Sequence, residues 1–255
     1  MQVVACQYDI LWEDREGNYA KIRGLLDGKE IRPGALIVLP EMFSSGFSMD
    51  VERIAEASPS SSEAFMKDLA LKYQSWVIGG LVFRNENGRG RNELAVISPS
   101  GEIVTRYQKN RCFRYTGESD HYDSGTEIQV ADLGDFTACP LICYDLRFPE
   151  LFRRGTKRGA NLFVVIASWP AARVEHWITL LRARAIENLA VVIGVNRCGD
   201  DPAYHYPGRS MVIDEQGEML ADAGEEEGAL VAEISATQLE AWRNEFPALM
   251  DLEAD

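Results

Sequence analysis

Phe136-Thr137-Ala138-Cys139-Pro140-Leu141-Ile142-Cys143-Tyr144-Asp145-Leu146-Arg147-Phe148-Pro149-Glu150 is the stretch on which the fold turns. Residues 136–142 are an apolar run of strand length, and Pro149 is suited to the first turn of a helix. A thiol therefore stands where a core strand gives way to a helix. The same order continues downstream: residues 161–166 read as a buried strand, 171–188 carry a long helical pattern, and 190–195 are a further core strand. Strand and helix in alternation specify an α/β fold.

Upstream, residues 35–39 are a continuous apolar run after Pro33-Gly34, the mark of a strand covered on both faces, and they lead directly into Pro40-Glu41. Residues 3–7 read as a strand and 18–26 as a helix, and Ser60 with Glu63 has the capping-box spacing that starts a second helix. Residues 76–83, 93–98 and 102–108 are rich in β-formers separated by turn chemistry, a meander of strands. Residues 109–125 show no long period but many polar and aromatic side chains, as expected of a loop that serves a site. Residues 210–213 and 219–222 make a hairpin, 230–234 a last strand, and Ser235 with Gln238 caps a final helix.

Val96-Ile97-Ser98-Pro99-Ser100-Gly101-Glu102-Ile103-Val104 is echoed by Val212-Ile213-Asp214-Glu215-Gln216-Gly217-Glu218-Met219-Leu220. Shared turn chemistry alone produces such echoes. Taken with the repeated strand-helix order, it points to two similar halves, each a sheet with helices on one face, packed sheet against sheet. No linker or low-complexity segment divides them, so residues 1–255 are expected to form one domain.

With 46% apolar residues in 255, the chain has material for a sizeable core. Its formal charge of −14 would repel nucleic acid and acidic membrane faces, so neither is an expected partner. The start, Met1-Gln2-Val3-Val4-Ala5-Cys6, lacks the features of a secretory signal, and no apolar run approaches bilayer length; a cytoplasmic location is expected. Cys6, Cys112, Cys139, Cys143 and Cys198 are odd in number and irregular in spacing, which rules out complete pairing and favours reduced thiols. His121, His176 and His205 are scattered, without metal-ligand spacing. Neither a metal nor an organic cofactor is expected.

Three polar residues end or follow apolar strands: Glu41, Lys109 and Cys143. The carboxyl ends of strands are where α/β sheets bind ligands. A thiol, a carboxylate and an ammonium suffice for acyl chemistry, in which Glu41 takes the proton of Cys143 and Lys109 faces the developing oxyanion. Each residue taken singly has a plainer role, as a small buried hydrophobe, a surface charge or an ion-pair partner. Cys139 and Cys143 lie about 13 Å apart along a strand, too far for a disulfide.

Leu141-Ile142-Cys143-Tyr144-Asp145-Leu146-Arg147-Phe148-Pro149-Glu150 resembles the nucleophile motif of the nitrilase, or carbon–nitrogen hydrolase, superfamily. Leu39-Pro40-Glu41-Met42-Phe43 and Tyr107-Gln108-Lys109 resemble that family's glutamate and lysine motifs, in the right order. Ala167-Ser168-Trp169-Pro170 with His176-Trp177, Tyr206-Pro207-Gly208-Arg209-Ser210, and Asn244-Glu245-Phe246-Pro247 are most similar to the ω-amidase branch. The resemblance implies a four-layer α-β-β-α sandwich of two mixed sheets with pseudo-two-fold halves, assembling as a homodimer or higher homo-oligomer. It implies a Glu41-Lys109-Cys143 triad and a second glutamate, Glu118, that positions Lys109 or the substrate. Where the family usually has His-Leu-Phe, this chain has Arg111-Cys112-Phe113, which puts one pocket wall and its charge preference in question.

The motif segments are locally basic: Arg106, Lys109, Arg111 and Arg114 occur with no acid between 106 and 117, in a chain that is acidic overall. A small anionic amide is the expected substrate, with Arg147 clamping its carboxylate, Trp169 walling its carbon chain and the Tyr144 backbone N–H on the oxyanion. Arg153, Arg154 and Arg158 are expected to cover helix surfaces or an interface. The expected reaction is ammonia release from monoamides such as 2-oxoglutaramate or 2-oxosuccinamate. Rivals with the same triad are a deaminated glutathione amidase, an N-carbamoyl amino acid hydrolase and a nitrilase; a silent scaffold subunit is the rival of another class.

Overall fold

A computed structural model describes residues 1–252; residues 253–255, the end of the acidic tail, lie outside the described residues. The first half holds β1 (Gln2–Gln7), α1 (Arg15–Leu26), β2 (Leu36–Val38), α2 (Val51–Ile54), α3 (Ser61–Tyr73), β3 (Trp76–Arg84), β4 (Gly90–Ile97) and β5 (Ile103–Gln108). After α4 (Glu118–His121) come β6 (Ala131–Asp132), β7 (Thr137–Ile142), α5 (Pro149–Lys157), β8 (Leu162–Ala167), α6 (Val174–Asn188) and β9 (Val191–Asn196). The chain closes with β10 (Cys198–Asp200), β11 (His205–Pro207), β12 (Met211–Ile213), β13 (Met219–Asp222), β14 (Gly228–Glu233) and α7 (Ala236–Glu245).

Two six-stranded sheets run in the orders β14-β1-β2-β3-β4-β5 and β6-β7-β8-β9-β12-β13. Each has an antiparallel edge strand, then three parallel strands, then an antiparallel hairpin. The echo in the sequence marks this repeat. Hairpins β4-β5 and β12-β13 shift register at the same step, between Val96 and Ile97 and between Val212 and Ile213. Both turns close on the same bond, Ser98 N to Glu102 O and Asp214 N to Glu218 O, each 2.9 Å. The glycine both turns require has a left-handed φ, 79° at Gly101 and 84° at Gly217. The small β10-β11 hairpin, inserted between β9 and β12, breaks the symmetry.

Side chains alternate between the two faces of a strand, and here both faces are buried. Val3, Ala5, Leu36 and Val38 share one core with the second sheet, whereas Val4, Cys6, Ile37 and Leu39 pack on Ile22 of α1 and on Phe65, Met66 and Leu69 of α3. The other face of the second sheet meets Phe152 of α5 and Trp177, Leu181 and Ala185 of α6. This α-β-β-α layering explains the unbroken apolar runs, since the central strands are screened from water twice. Each such Val, Leu or Ile side chain contributes about 1.5–3 kcal/mol.

Some elements differ from expectation. The loop over 109–125 holds a turn of 3-10 helix, Arg114–Thr116, followed by α4, and residues 171–173 form a separate 3-10 turn ahead of α6. These pieces, like α2 and the β10-β11 hairpin, are too short to show a hydrophobic period. Strand β4 begins at Gly90, which brings Asn92 into the sheet. Among the described residues no helix is long and apolar enough to cross a membrane.

Candidate active site

Strands β2, β5, β7 and β8 deliver Glu41, Lys109, Cys143 and Ser168 just past their carboxyl ends. Beta2 and β5 point the same way because two antiparallel steps separate β3 from β5. Beta2 and β8 hold equivalent third places in their sheets, and the residues beyond them meet: Ser168 N donates to Glu41 Oε2 at 2.8 Å. Gly80 of β3 makes room for the turn that carries Glu41, since a Cβ there would lie 2.5 Å from Met42 N and 2.8 Å from Glu41 Cα.

Glu41, Lys109 and Glu118 are fully buried and bonded together. Lys109 Nζ donates to Glu41 Oε1 and to both oxygens of Glu118, each at 2.9 Å. Asn92 Nδ2 donates to both carboxylates, at 2.7 Å to Glu41 Oε1 and 3.0 Å to Glu118 Oε1. Phe113 N completes the shell of Glu118 at 2.5 Å. Burial opposes the charge on Lys109, but Glu118 and then Glu41 outweigh it and hold its pKa well above the ordinary range. One cation between two carboxylates leaves the cluster formally anionic. Asn92 thus spans the two acids, with its own Oδ1 buried and unpartnered. It was not foreseen because, between Arg91 and Glu93, it has the look of a solvated strand end.

Cys143 sits at φ 47°, in the left-handed region, at the start of a 3-10 turn, Cys143–Arg147. A non-glycine residue there costs roughly 1–2 kcal/mol and turns the thiol out of the strand direction. Asp145 braces the elbow: its Oδ2 accepts from Ile142 N at 3.1 Å and from Tyr107 Oη at 2.7 Å, and its Oδ1 accepts from Arg111 N at 2.9 Å. Cys143 Sγ faces Ser168 O at 3.9 Å, so Ser168 touches both the thiol and Glu41. Burial and then the charge of Glu41 push the Cys143 pKa well up, against the pull of Lys109. The thiol is therefore protonated at rest and has a carboxylate in its field. Cys6, Cys139 and Cys198 are also free and buried, pushed up to about 12 by burial, but are not part of this cluster.

Burial pushes the Asp145 pKa from 3.8 to about 7, against its hydrogen bonds. A folded-state pKa above the unfolded value means that the folded state holds a proton the unfolded state has lost. This group therefore contributes stability below about pH 4, and the contribution is lost as pH rises through 7. The decline is expected at up to about 1.4 kcal/mol per pH unit. Denaturant unfolding of the native protein and Asp145→Asn between pH 4 and 8 checks it: the variant should show the flatter profile, and parallel profiles would refute the assignment.

Beside Cys143 and Lys109 the cleft is lined by Phe47, Phe113, Tyr144, Trp169, Pro170 and, from the β10-β11 region, Tyr204 and Tyr206. Of the residues expected from sequence, Lys109, Cys143, Tyr144, Arg147 and Trp169 line this cleft, and Glu41 and Glu118 reach it through their bonds to Lys109. Arg147 lies over the Trp169 ring at 5.0 Å and the Tyr144 ring at 5.9 Å, and its Nη2 is 3.0 Å from His176 Nδ1. Trp169 is 3% exposed, packing on Trp177 while lining the cleft, so it serves both core and wall. Arg111 does not line the cleft: it pairs with Glu150 at 3.3 Å and covers Phe148, so the replaced wall puts its charge outside. Cys112 packs inward, accepting from Ser124 Oγ at 3.3 Å. Arg153, Arg154 and Arg158 bond backbone carbonyls of Glu187, Thr126 and Ile128. Ser168, Arg173, Tyr204 and Tyr206 had no site role in the sequence: Ser168 and Tyr206 lie in segments similar to the ω-amidase branch, but nothing local says which of their side chains face the cleft.

Two mixed sheets, helices outside and a buried Glu-Lys-Glu cluster beside an elbow cysteine define a class. The carbon–nitrogen hydrolase family model matches residues 2–244, and the chain belongs to that family, as an amide-hydrolysing enzyme. It is 38% identical to the omega-amidase YafV of Yersinia enterocolitica over 98% of this chain and 96% of the relative. It is 32% identical to the 2-oxoglutaramate amidase of Bacillus subtilis over 99% and 98% of the two chains. A CN-hydrolase superfamily protein of Xanthomonas campestris, solved with an arsenic adduct in its active site, superposes with a TM-score of 0.93 at 33% identity, covering 100% of this chain and 98% of that one.

Proposed function

We propose that the enzyme releases ammonia from the terminal amide of small dicarboxylic-acid monoamides, 2-oxoglutaramate and 2-oxosuccinamate, through a thioester on Cys143. Because the thiol is protonated at rest, it attacks the amide carbon as its proton passes to Glu41. Lys109 Nζ bonds Glu41 and both oxygens of Glu118, and as charge develops on the substrate oxygen one of its N–H groups turns from Glu118 to the oxyanion, together with the Tyr144 backbone N–H. Glu41 returns its proton to the departing nitrogen, the C–N bond breaks and ammonia leaves. Water then adds to the thioester as Glu41 accepts its proton, and collapse releases the acid and restores the Cys143 thiol. Glu118 keeps Lys109 charged and placed, and Arg147 binds the substrate carboxylate.

The observation that carries this proposal is the buried Glu41-Lys109-Glu118 cluster joined to Cys143 through Ser168. For the substrate, the support is the Arg147 guanidinium in a cleft that no acidic residue lines, together with the similarity to an omega-amidase and a 2-oxoglutaramate amidase. The test is ammonia release from 2-oxoglutaramate, 2-oxosuccinamate, deaminated glutathione, an N-carbamoyl amino acid and a nitrile side by side. Mass spectrometry of enzyme quenched during turnover should find an acyl adduct on the Cys143 peptide. An adduct on Cys6 or Cys198, or preference for a nitrile, would overturn the proposal.

A further inference from the structure

Arg173 precedes α6 as its N-cap residue and lines the same cleft as Cys143 and Arg147. Its Nη2 is buried and has no hydrogen-bond partner. Among the described residues its guanidinium has no ion pair; it lies over the Phe113 ring at 5.3 Å. A guanidinium nitrogen withdrawn from water without an acceptor is costly, and natural structures rarely tolerate it without a purpose. Ser168 Oγ, 4% exposed as a residue and lining the same cleft, is also buried without a partner. Two polar groups of one cleft, Arg173 Nη2 and Ser168 Oγ, are thus buried without a hydrogen-bond partner from the protein.

The kind of acceptor follows from the surroundings. No acidic residue lines the cleft, whose cations are Lys109, already held by two glutamates, Arg147 and Arg173. Arg147 has no carboxylate partner among the described residues either; its polar contact is His176. Trp169 fixes the two arginines relative to each other, its ring beneath Arg147 and its Nε1 donating to Arg173 O at 2.7 Å. We propose that Arg173 is a second carboxylate-binding residue, which with Arg147 grips the charged end of the acyl substrate and sets the preference for anionic over neutral amides. This inference rests on the function proposed above. The two guanidiniums recognise a carboxylate and an adjacent oxo oxygen, a pair of acceptors that one fork does not satisfy.

The test compares the native enzyme with Arg173→Gln and Arg173→Lys on 2-oxoglutaramate and on butanamide, with glutarate as an unreactive competitor. For Arg173→Gln, selectivity for 2-oxoglutaramate over butanamide should fall about 10- to 100-fold, mostly through KM, as expected for one charged hydrogen bond. Glutarate inhibition should weaken by a similar factor. Arg173→Lys should recover part of the selectivity, because it keeps the charge and loses the fork. Unchanged selectivity, or equal losses on both amides, would overturn the inference and leave Arg173 a structural residue. A native enzyme inert to every amide overturns the proposed function, and this inference with it.

Discussion

Replacing Cys143 with alanine is expected to lower ammonia release from 2-oxoglutaramate by at least about four orders of magnitude while leaving the fold intact. The size of the loss follows from the proposed chemistry, in which no other group supplies the bond to the acyl carbon. Glu41 and Lys109 would remain in place, because their mutual bonds do not involve the sulfur. The elbow is braced by Asp145 through Ile142 N and Arg111 N, which the substitution does not touch. Losing one sulfur atom from a residue 8% exposed should change stability little. Kinetic assay with circular dichroism checks both halves. Appreciable residual turnover would mean that another thiol or an activated water does the chemistry.

Lys109→Met is expected to damage both stability and activity. The shape is nearly kept, but the charge that holds Glu41 and Glu118 is gone, and both carboxylates are 0% exposed. Breaking a buried ion pair from one side costs roughly 3–5 kcal/mol, because uncompensated charge stays behind. The two acids then face each other with no cation between them. Activity should fall by at least about three orders of magnitude, since an oxyanion donor alone accounts for about 10²–10³ elsewhere and the base is disturbed as well. Lys109→Met with Glu118→Gln should regain much of the stability and none of the activity, a coupling that denaturant unfolding and ammonia assays together read out. Additive losses in stability would show that Glu118 and Lys109 do not act as a pair.

Much of the architecture was legible along the chain for a physical reason. Residues 35–39, 162–166 and 190–195 carry no polar side chain because both faces of their strands are screened from water, and that requirement is written locally. The hairpin echo between Val96 and Val212 was legible because a turn's glycine and register are short-range demands. Glu41, Lys109 and Cys143 stood out as polar residues past the ends of apolar strands, and their motifs resemble those of a known family. Glu118 was legible only through that resemblance, since its segment shows no period; its partner Lys109 lies nine residues earlier in the chain.

What the linear order determined by itself was therefore the longer strands and helices, the repeat, and Glu41, Lys109 and Cys143 as the candidate site residues. Only the tertiary structure decided which remote groups complete them. Asn92 bridges acids from two other segments, Ser168 links Glu41 to Cys143 across 127 and 25 residues, and Arg173 is left with a buried, unsatisfied nitrogen. Secondary structure answers to the hydrophobicity and conformational freedom of near neighbours, so it can be read locally. Hydrogen-bond satisfaction in a buried cluster depends on which chain segments have displaced the water, and that is settled only when the two sheets close on each other.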